Sequence, residues 1–371
     1  MTALPPWPIY PTIAILLWWT QPWVLQWALS SRSRLVGAGL LLAVSSAVLA
    51  VAWHRSLRDY HQVPRFVLAL LWYPIGTQIL RYMHAAAVGP AIFCQTLGLS
   101  SPWRVKAFMW SAPTLVFVPK HRDNDNEKNK IMKRFLLNLH VDESWMSVLQ
   151  SSLFDLGLTI LVCAAVLHFE WYQTPPGVIV TLLRILIMGT SVSLFRVILE
   201  VPVRFALRQW YGTDVVVVIL PIYNQPLYST SPRDFWRRWS TSVGFHLRCA
   251  WYDPCMCKQS NNVIQRWLAT ALPFGFNCVW HVTWWSWAMK GEMDGAYVTL
   301  LGYYPMVSLA LQDLVVRFGP KHKWLQAMLL RGIVWIGFVC VAETMQVANG
   351  APPSLRDTCR SNLLLPRLPP E

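Results

Sequence analysis

The feature that most constrains this chain is a series of apolar runs of about 20 residues, the length that an α-helix needs to cross a bilayer. Residues 35–53, 146–168 and 324–345 are the clearest of these runs. Charged residues make up 13% of the 371 residues, against about 25% in an average soluble protein. Because so little charge cannot cover a water-exposed surface of this size, the sequence predicts an all-α, polytopic integral membrane protein.

Further apolar runs lie around these three, and together they predict about eight or nine transmembrane helices. They cover residues 10–29, 66–80, 84–99, 178–201, 263–289 and 296–316. The runs at 66–80 and 84–99 form either two short helices or one interrupted helix. The run at 214–223 is too short to cross a bilayer and contains Pro221, so we expect a re-entrant or interfacial segment there.

The spacing of these runs indicates one membrane-embedded domain over residues 1–348. Within it, residues 100–145 include a charged stretch, and we expect them to be largely an extramembrane or interfacial loop. Residues 349–371 are rich in Pro and Arg, and we expect a disordered tail.

The net charge of +14 comes from basic residues that are scattered between the apolar runs. Such residues usually set membrane topology and contact anionic lipid headgroups, and they also suit an anionic cosubstrate. They form no long basic stripe, so we expect membrane lipids and not nucleic acid as partners. Cys255 and Cys257 have no second matching pair, and the chain has no Walker, GxSxG or HExxH motif. We therefore expect no metal site.

One histidine lies in the middle of an apolar run that otherwise has the composition of a membrane span. His281 follows Asn277 by four residues, so the two side chains share one helix face. A neutral imidazole there would serve as a general base, and the amide would orient it or bind the substrate. The alternative is a structural His–Asn pair that binds a neighbouring helix.

A second candidate site is the segment 231–240, which combines three arginines, one acid and three aromatic rings. Arginine side chains bind phosphates through paired N–H donors, and flanking rings stack on a planar base or line an acyl groove. The alternative is an interfacial belt, since Trp and Arg are also typical of helices at a headgroup boundary.

These two segments together resemble a known family. A Pro-rich lead at Pro221–Tyr228 runs into Ser231–Trp239, and His281 follows further along. The order is similar to that of the wax synthase-like branch of the membrane-bound O-acyltransferases, whose motif is Ser-x-x-Asp/Glu-Phe-Trp-Gly-Arg-Arg-Trp. Here the Gly is absent and Ser240 stands where His or Asn is usual. The ungapped Trp-Arg-Arg-Trp is closer to the motif of the sterol and diacylglycerol acyltransferases.

The resemblance implies an acyl-coenzyme A cosubstrate, no bound cofactor, and a hydrophobic alcohol as acceptor. Fungal members of the branch acetylate terpenoid and meroterpenoid alcohols, so acetyl is the expected acyl group and the endoplasmic reticulum membrane the expected location. His281 is implied to be the catalytic base, with Asn277 beside it. The residues implied to bind acyl-coenzyme A are Arg233, Asp234, Trp236, Arg237, Arg238 and Trp239.

Three other functions stay open at this point. The first is a wax or sterol ester synthase that uses long acyl chains. The second is a lipid or small-molecule transporter with buried His and Arg along its path, although the sequence lacks the paired discontinuous helices typical of one. The third is a membrane terpene cyclase with Asp155 or Glu343 as its acid, which would leave the Arg/Trp segment without a role.

Overall fold

The computed structural model describes residues 9–58, 65–119, 145–169, 183, 196–210, 215–222, 224, 226–239, 241–256, 263–288 and 295–347. The charged loop at 120–144, most of the predicted span at 178–201 and the tail at 349–371 lie outside these residues.

Helices make up most of the described chain. In order they are α1 (Ile9–Ala28), α2 (Arg32–Arg58), α3 (Arg65–Val88), α4 (Pro90–Leu97), α5 (Pro102–Trp110), α6 (Trp145–His168), α7 (Val201–Trp210), α8 (Pro232–Trp239), α9 (Thr241–Leu247), α10 (Asp253–Met256), α11 (Val263–Ala288), α12 (Gly295–Phe318) and α13 (Lys323–Val347). Single turns of π-helix lie at Arg196–Glu200 and Arg248–Tyr252, and a turn of 3-10 helix lies at Pro226–Tyr228. The long helices coincide with the apolar runs of the sequence.

The apolar region at 66–99 forms one long helix followed, after a break at Gly89, by a short one. Helix α3 ends at Val88, and α4 begins at Pro90. Between them Gly89 has a φ of 92°, a backbone conformation that glycine adopts without steric cost. Pro90 suits the first position of α4, because an N–H at that position would have no partner within the helix.

Two helices of the described chain are long and apolar enough to cross a membrane, by length and composition. They are Arg32–Ala52 within α2 and Trp145–His168, which is α6. Only 39% and 28% of the residues in their most apolar windows are buried, so neither resembles the mostly buried core helix of a soluble protein. The larger set of about eight or nine spans stays a prediction.

The all-α prediction is wrong in one place, where the chain forms an antiparallel pair of strands. Strand β1 (Thr114–Pro119) pairs with β2 (Val215–Leu220), with Thr114 opposite Leu220 and Pro119 opposite Val215. The predicted re-entrant segment at 214–223 therefore contains a strand. Four consecutive valines begin β2, and β-branched side chains favour extended backbone over helix.

The chain divides into two compact units, each built from separate segments. Unit 1 comprises Met1–Glu143, Val203–Ile222 and Thr241–Lys290, and unit 2 comprises Ser144–Pro202, Tyr223–Ser240 and Gly291–Glu371.

Unit 1 is held together by close packing of α1, α2 and α3. The hydroxyl of Tyr82 on α3 donates a hydrogen bond of 2.9 Å to Gln21 Oε1 on α1. Gly39 on α2 faces the same tyrosine, and a Cβ at this glycine would lie 3.1 Å from Tyr82 Cβ. The absence of a side chain at Gly39 thus allows α2 and α3 to approach closely.

Unit 2 contains an antiparallel pair of helices, α12 and α13. Tyr304 on α12 donates a hydrogen bond to the carbonyl of Ile333 on α13, and Gln326 Nε2 donates to the carbonyl of Val315 at 3.3 Å. The residue numbers rise along one helix as they fall along the other, which fixes the antiparallel direction. Gly337 lies against the Tyr304 hydroxyl, where no larger residue fits.

Candidate functional site

The Arg/Trp segment folds as the short helix α8, and its first turn is stabilised by its own polar side chains. Ser231 Oγ accepts a hydrogen bond from the Asp234 N–H at 3.3 Å, and Asp234 Oδ2 accepts one from the Thr230 N–H at 3.1 Å. This resembles a capping box, except that the acid accepts from the N–H of Thr230, the residue before the N-cap Ser231, and not from that of Ser231 itself. The order Ser-x-x-Asp therefore has a structural role in starting this helix.

Asp234 has a second partner on the same helix. Its Oδ1 lies 2.9 Å from Arg238 Nε, and both side chains are largely buried, with 23% and 22% of their surface exposed. The sequence spacing of four residues places the two groups on one helix face. The carboxylate of Asp234 is thus engaged by Arg238 and by the helix start.

Helix α8 is attached to α12 by two hydrogen bonds. Trp236 Nε1 donates to Ser308 Oγ at 3.1 Å, and the Arg233 N–H donates to Gln312 Oε1 at 2.9 Å. Both acceptors are buried, and they are four residues apart, so they lie on one face of α12. The ring of Tyr304, one turn earlier, lies 6.2 Å from the Trp236 ring.

The Pro-rich lead is bonded to the other end of the same helix. The N–H of Asn224, a buried residue, donates a hydrogen bond of 2.9 Å to the carbonyl of Arg238. The Trp239 ring lies 5.3 Å from the ring of Phe235, which is buried. A backbone hydrogen bond therefore links Asn224 of the lead to the end of the Arg/Trp segment.

Two of the three arginines of α8 have exposed side chains. Arg233 has a side chain that is 65% exposed and lies 3.7 Å from Asp313 Oδ1, and Arg237, four residues later, is also exposed. Residues four apart share a helix face, so their two guanidinium groups project from the same side. Arg238 points to Asp234 instead. An anionic ligand of α8 would therefore meet Arg233 and Arg237.

Asn277 and the backbone of His281 lie on α11 in unit 1, four residues apart. Asn277 is half-buried, and its neighbour Phe276 stacks on Trp251 with ring centroids 6.1 Å apart. The side chain of His281 lies outside the part of the chain that the structure describes. The catalytic roles of Asn277 and His281 therefore stay predictions.

Sequence reasoning missed a buried polar cluster in unit 1, formed by His84, His246, Thr114 and Ser242. His84 Nδ1 lies 3.0 Å from His246 Nδ1, and His246 Nε2 lies 2.9 Å from Thr114 Oγ1. Thr114 Oγ1 shares a hydrogen bond with Ser242 Oγ, which also accepts the Thr114 N–H at 3.0 Å. None of the four side chains is more than 1% exposed.

The hydrogen bonds of this cluster form a continuous chain, in which all donors point the same way and which can run in either of two directions. In the first direction Ser242 donates to Thr114 and Thr114 donates to His246 Nε2. The Nδ1–H of His246 then donates to His84 Nδ1. The opposite direction reverses each donor, and His246 is neutral in both directions because one of its ring nitrogens accepts a hydrogen bond in each. The cluster thus joins α3, β1 and α9 through side chains that would cost free energy if buried without partners.

The electrostatics keep His246 neutral. Burial lowers the pKa of His246 well below its usual range, and the neighbouring His84 and the cationic Arg81 lower it further. Arg81 is itself fully buried, and its guanidinium donates to four backbone carbonyls, those of Met109, Ser111, Ala112 and Pro113. These bonds hold the chain just before β1 and thereby position Thr114.

A neutral imidazole between a hydroxyl and a second imidazole resembles the arrangement of a general base with its orienting partner. The cluster is closed to solvent, however, and its hydrogen bonds join three elements of unit 1. In the sequence, His246 gives the same signal as His281, because each is a histidine in an apolar context (here Phe245-His246-Leu247). Among the described residues, no group of three or more His, Cys, Asp or Glu side chains is placed to hold a metal ion.

Comparison of the sequence with known protein families and with curated proteins finds no match. Similarity to characterised proteins therefore assigns no function, and any proposal depends on the residues themselves.

Proposed function

We propose that this protein is a membrane-bound O-acyltransferase, which transfers an acyl group from acyl-coenzyme A to the hydroxyl of a hydrophobic alcohol. The observation that carries the proposal is the construction of α8. Its fold is fixed by Asp234, Arg238 and Trp236, and it presents Arg233 and Arg237 from one side. A rigid helix with two outward guanidinium groups suits the phosphates of coenzyme A, because paired cations bind phosphate strongly.

The proposed reaction needs one base and no covalent enzyme intermediate. His281 takes the proton of the acceptor hydroxyl as its oxygen attacks the thioester carbonyl. The carbon–sulfur bond then breaks, and the coenzyme A thiolate leaves and takes up the proton. Asn277, one helical turn before His281, is proposed to orient the imidazole or the acceptor.

The finer parts of the proposal concern the substrates and the location. We propose acetyl as the acyl group, a terpenoid or meroterpenoid alcohol as the acceptor, and the endoplasmic reticulum membrane as the site of action. These parts follow from the resemblance of Ser231–Trp239 and His281 to the wax synthase-like branch. The two helices long enough to cross a membrane are consistent with substrates delivered through lipid.

A direct assay tests the proposal. Membranes from a host that expresses the full-length protein are incubated with labelled acetyl- or palmitoyl-coenzyme A and a panel of sterol and terpenoid alcohols. We expect a labelled ester that membranes from the untransformed host do not form. The variant Arg317→Ala serves as a matched control, because Arg317 is an exposed arginine of unit 2 outside α8. If no donor gives an ester with any alcohol in the panel, the acyltransferase proposal is wrong.

A further inference from the structure

Four side chains of unit 1, Trp19, Trp23, Lys106 and Trp110, form what we call the aromatic–cation patch. The Trp19 and Trp110 rings are stacked, with centroids 4.6 Å apart and planes at 16°. The Trp23 ring meets Trp110 edge-on at 5.7 Å, and Lys106 Nζ lies over the Trp23 ring, 5.1 Å from its centroid. The electron-rich face of an indole ring attracts a cation in this position, so the Trp23 ring restrains Lys106. The ammonium N–H groups of the lysine can still donate hydrogen bonds to another group.

The patch is built by two helices that are joined to one another. Trp110 Nε1 on α5 donates a hydrogen bond of 3.1 Å to the carbonyl of Trp19 on α1. On α5, Lys106 and Trp110 share one face, while Phe108 and Met109 are fully buried on the other. The sequence of α5 thus directs an aliphatic and aromatic face into the core and a Trp/Lys face outward.

Two rings of the patch are exposed. Trp19 is 50% exposed and Trp23 is 42% exposed. They belong to a row of tryptophans on α1 spaced by four residues, and its next member, Trp27, is 58% exposed. The guanidinium of Arg34 lies over the Trp27 ring. Exposed indole rings beside cations are typical of the membrane–water boundary, where the ring is in an apolar layer and its N–H is hydrated.

Neither of the two helices that build the patch carries an acidic residue. Residues 1–122 contain ten Lys and Arg but a single acidic residue, Asp59. No acid of this part of the sequence therefore lies on α1 or α5. Lys106 is therefore not offset by an acid on either helix, and a basic residue near an anionic bilayer is attracted to it.

We propose that the aromatic–cation patch binds the headgroup of an anionic phospholipid. Lys106 would meet the headgroup phosphate, and the indole rings of Trp19 and Trp23 would lie beside the glycerol and upper acyl chain. A membrane lipid, not inorganic phosphate, is the ligand that uses both parts of the patch, because a lipid supplies apolar surface next to its anion. This proposal does not depend on acyl transfer.

The test measures thermal stabilisation of the full-length protein by lipid, without any acyl-coenzyme A. The protein in a neutral detergent is mixed with micelles that contain either phosphatidylserine or phosphatidylcholine, and its melting temperature is recorded. A ligand that binds the folded state raises the melting temperature. We expect phosphatidylserine to raise it more than phosphatidylcholine, and we expect added salt to reduce the difference.

Three variants locate the effect. Lys106→Gln should remove most of the difference between the two lipids, and Lys106→Arg should retain it. Trp23→Leu, which keeps the lysine but removes the ring beneath it, should reduce the difference. The matched control is Lys321→Gln, at an exposed lysine of unit 2, which should behave as the unchanged protein. Equal stabilisation by both lipids, or an unaltered difference in Lys106→Gln, overturns the proposal.

Discussion

Asp234 Oδ1 and Arg238 Nε lie 2.9 Å apart, one turn from each other on α8. This contact separates the arginines of the segment into two groups. The Arg238 side chain is only 22% exposed beside Asp234, whereas the Arg233 side chain, beside Asp313, is 65% exposed and Arg237 is also exposed. The family resemblance implies that all three bind acyl-coenzyme A, whereas the structure distinguishes Arg238, which pairs with Asp234 within α8, from the two arginines whose side chains are exposed.

The first prediction concerns these two groups of arginines. Arg233→Ala or Arg237→Ala should raise the apparent KM for acyl-coenzyme A by about tenfold and leave that for the alcohol nearly unchanged. A hydrogen bond to a charged group contributes about 1.5–3 kcal/mol, and about 1.4 kcal/mol is a factor of ten in affinity. Steady-state kinetics with each substrate varied in turn measures the two constants.

The same experiment includes its own comparison. Arg238→Ala should lower the amount of folded protein more than it changes the KM of the folded fraction, because Arg238 supports Asp234. Arg317→Ala should change neither. Equal effects of Arg237→Ala on both substrates would instead favour a general interfacial role for the segment.

The second prediction concerns Asp234 itself. Asp234→Asn should lower the free energy of unfolding by about 1 kcal/mol, because it removes the charge that pairs with Arg238. The effect is modest because solvent reaches both side chains in part. Asp234→Glu should be tolerated better, since glutamate keeps the charge and is the usual partner of serine in a capping box. Melting temperatures of the two variants in detergent decide the matter. A glutamate variant less stable than the asparagine variant would show that the carboxylate position, and not its charge, is what matters.

The long helices could be predicted from the sequence because the length and the composition of an apolar run are enough to indicate a helix. The contact between Asp234 and Arg238 was also predictable, since a spacing of four residues fixes the two side chains on one helix face. Strand β2 was not, because a short apolar run such as Val215–Leu220 has no periodicity that distinguishes strand from buried helix.

Contacts between distant parts of the chain were beyond the sequence for a different reason. Trp236 meets Ser308 across 72 residues, and His84 meets His246 across 162 residues. Local patterns carry no record of which helix lies beside which. A polar residue within an apolar helix, such as Ser308 or His246, indicates that a partner exists but does not identify it.

The third prediction concerns His281. His281→Ala should reduce ester formation by a factor of about 10²–10⁴, the usual contribution of a general base, while expression and membrane insertion persist. His322→Ala is the matched control, since His322 is an exposed histidine of the loop between α12 and α13. Initial rates are measured in membranes with equal amounts of each protein. Turnover by His281→Ala close to that of the control would remove this histidine from the mechanism.

The fourth prediction concerns the acyl donor. Four of the residues on α11 from Trp280 to Trp287 are tryptophans, and bulky rings near the base would shorten a channel for an acyl chain. We therefore expect acetyl-coenzyme A to be used better than the butyryl, octanoyl and palmitoyl donors with the same alcohol. A long channel would give the reverse order, because each buried CH₂ contributes about 0.8 kcal/mol. A palmitoyl donor that proves best identifies a wax or sterol ester synthase instead.

The last prediction concerns the stability of unit 1 at acidic pH. The folded-state pKa of His246 lies below that of an unfolded histidine, about 6.5, so the unfolded chain binds more protons at lower pH. The contribution of His246 to stability is therefore complete above pH 6.5 and is lost as the pH falls below it, by about 1.4 kcal/mol per pH unit. Melting temperatures at pH 7.5 and 5.5 should differ, and His246→Gln should reduce the difference, whereas His322→Ala should not. A pH dependence that is the same in all three proteins would assign the effect to other groups.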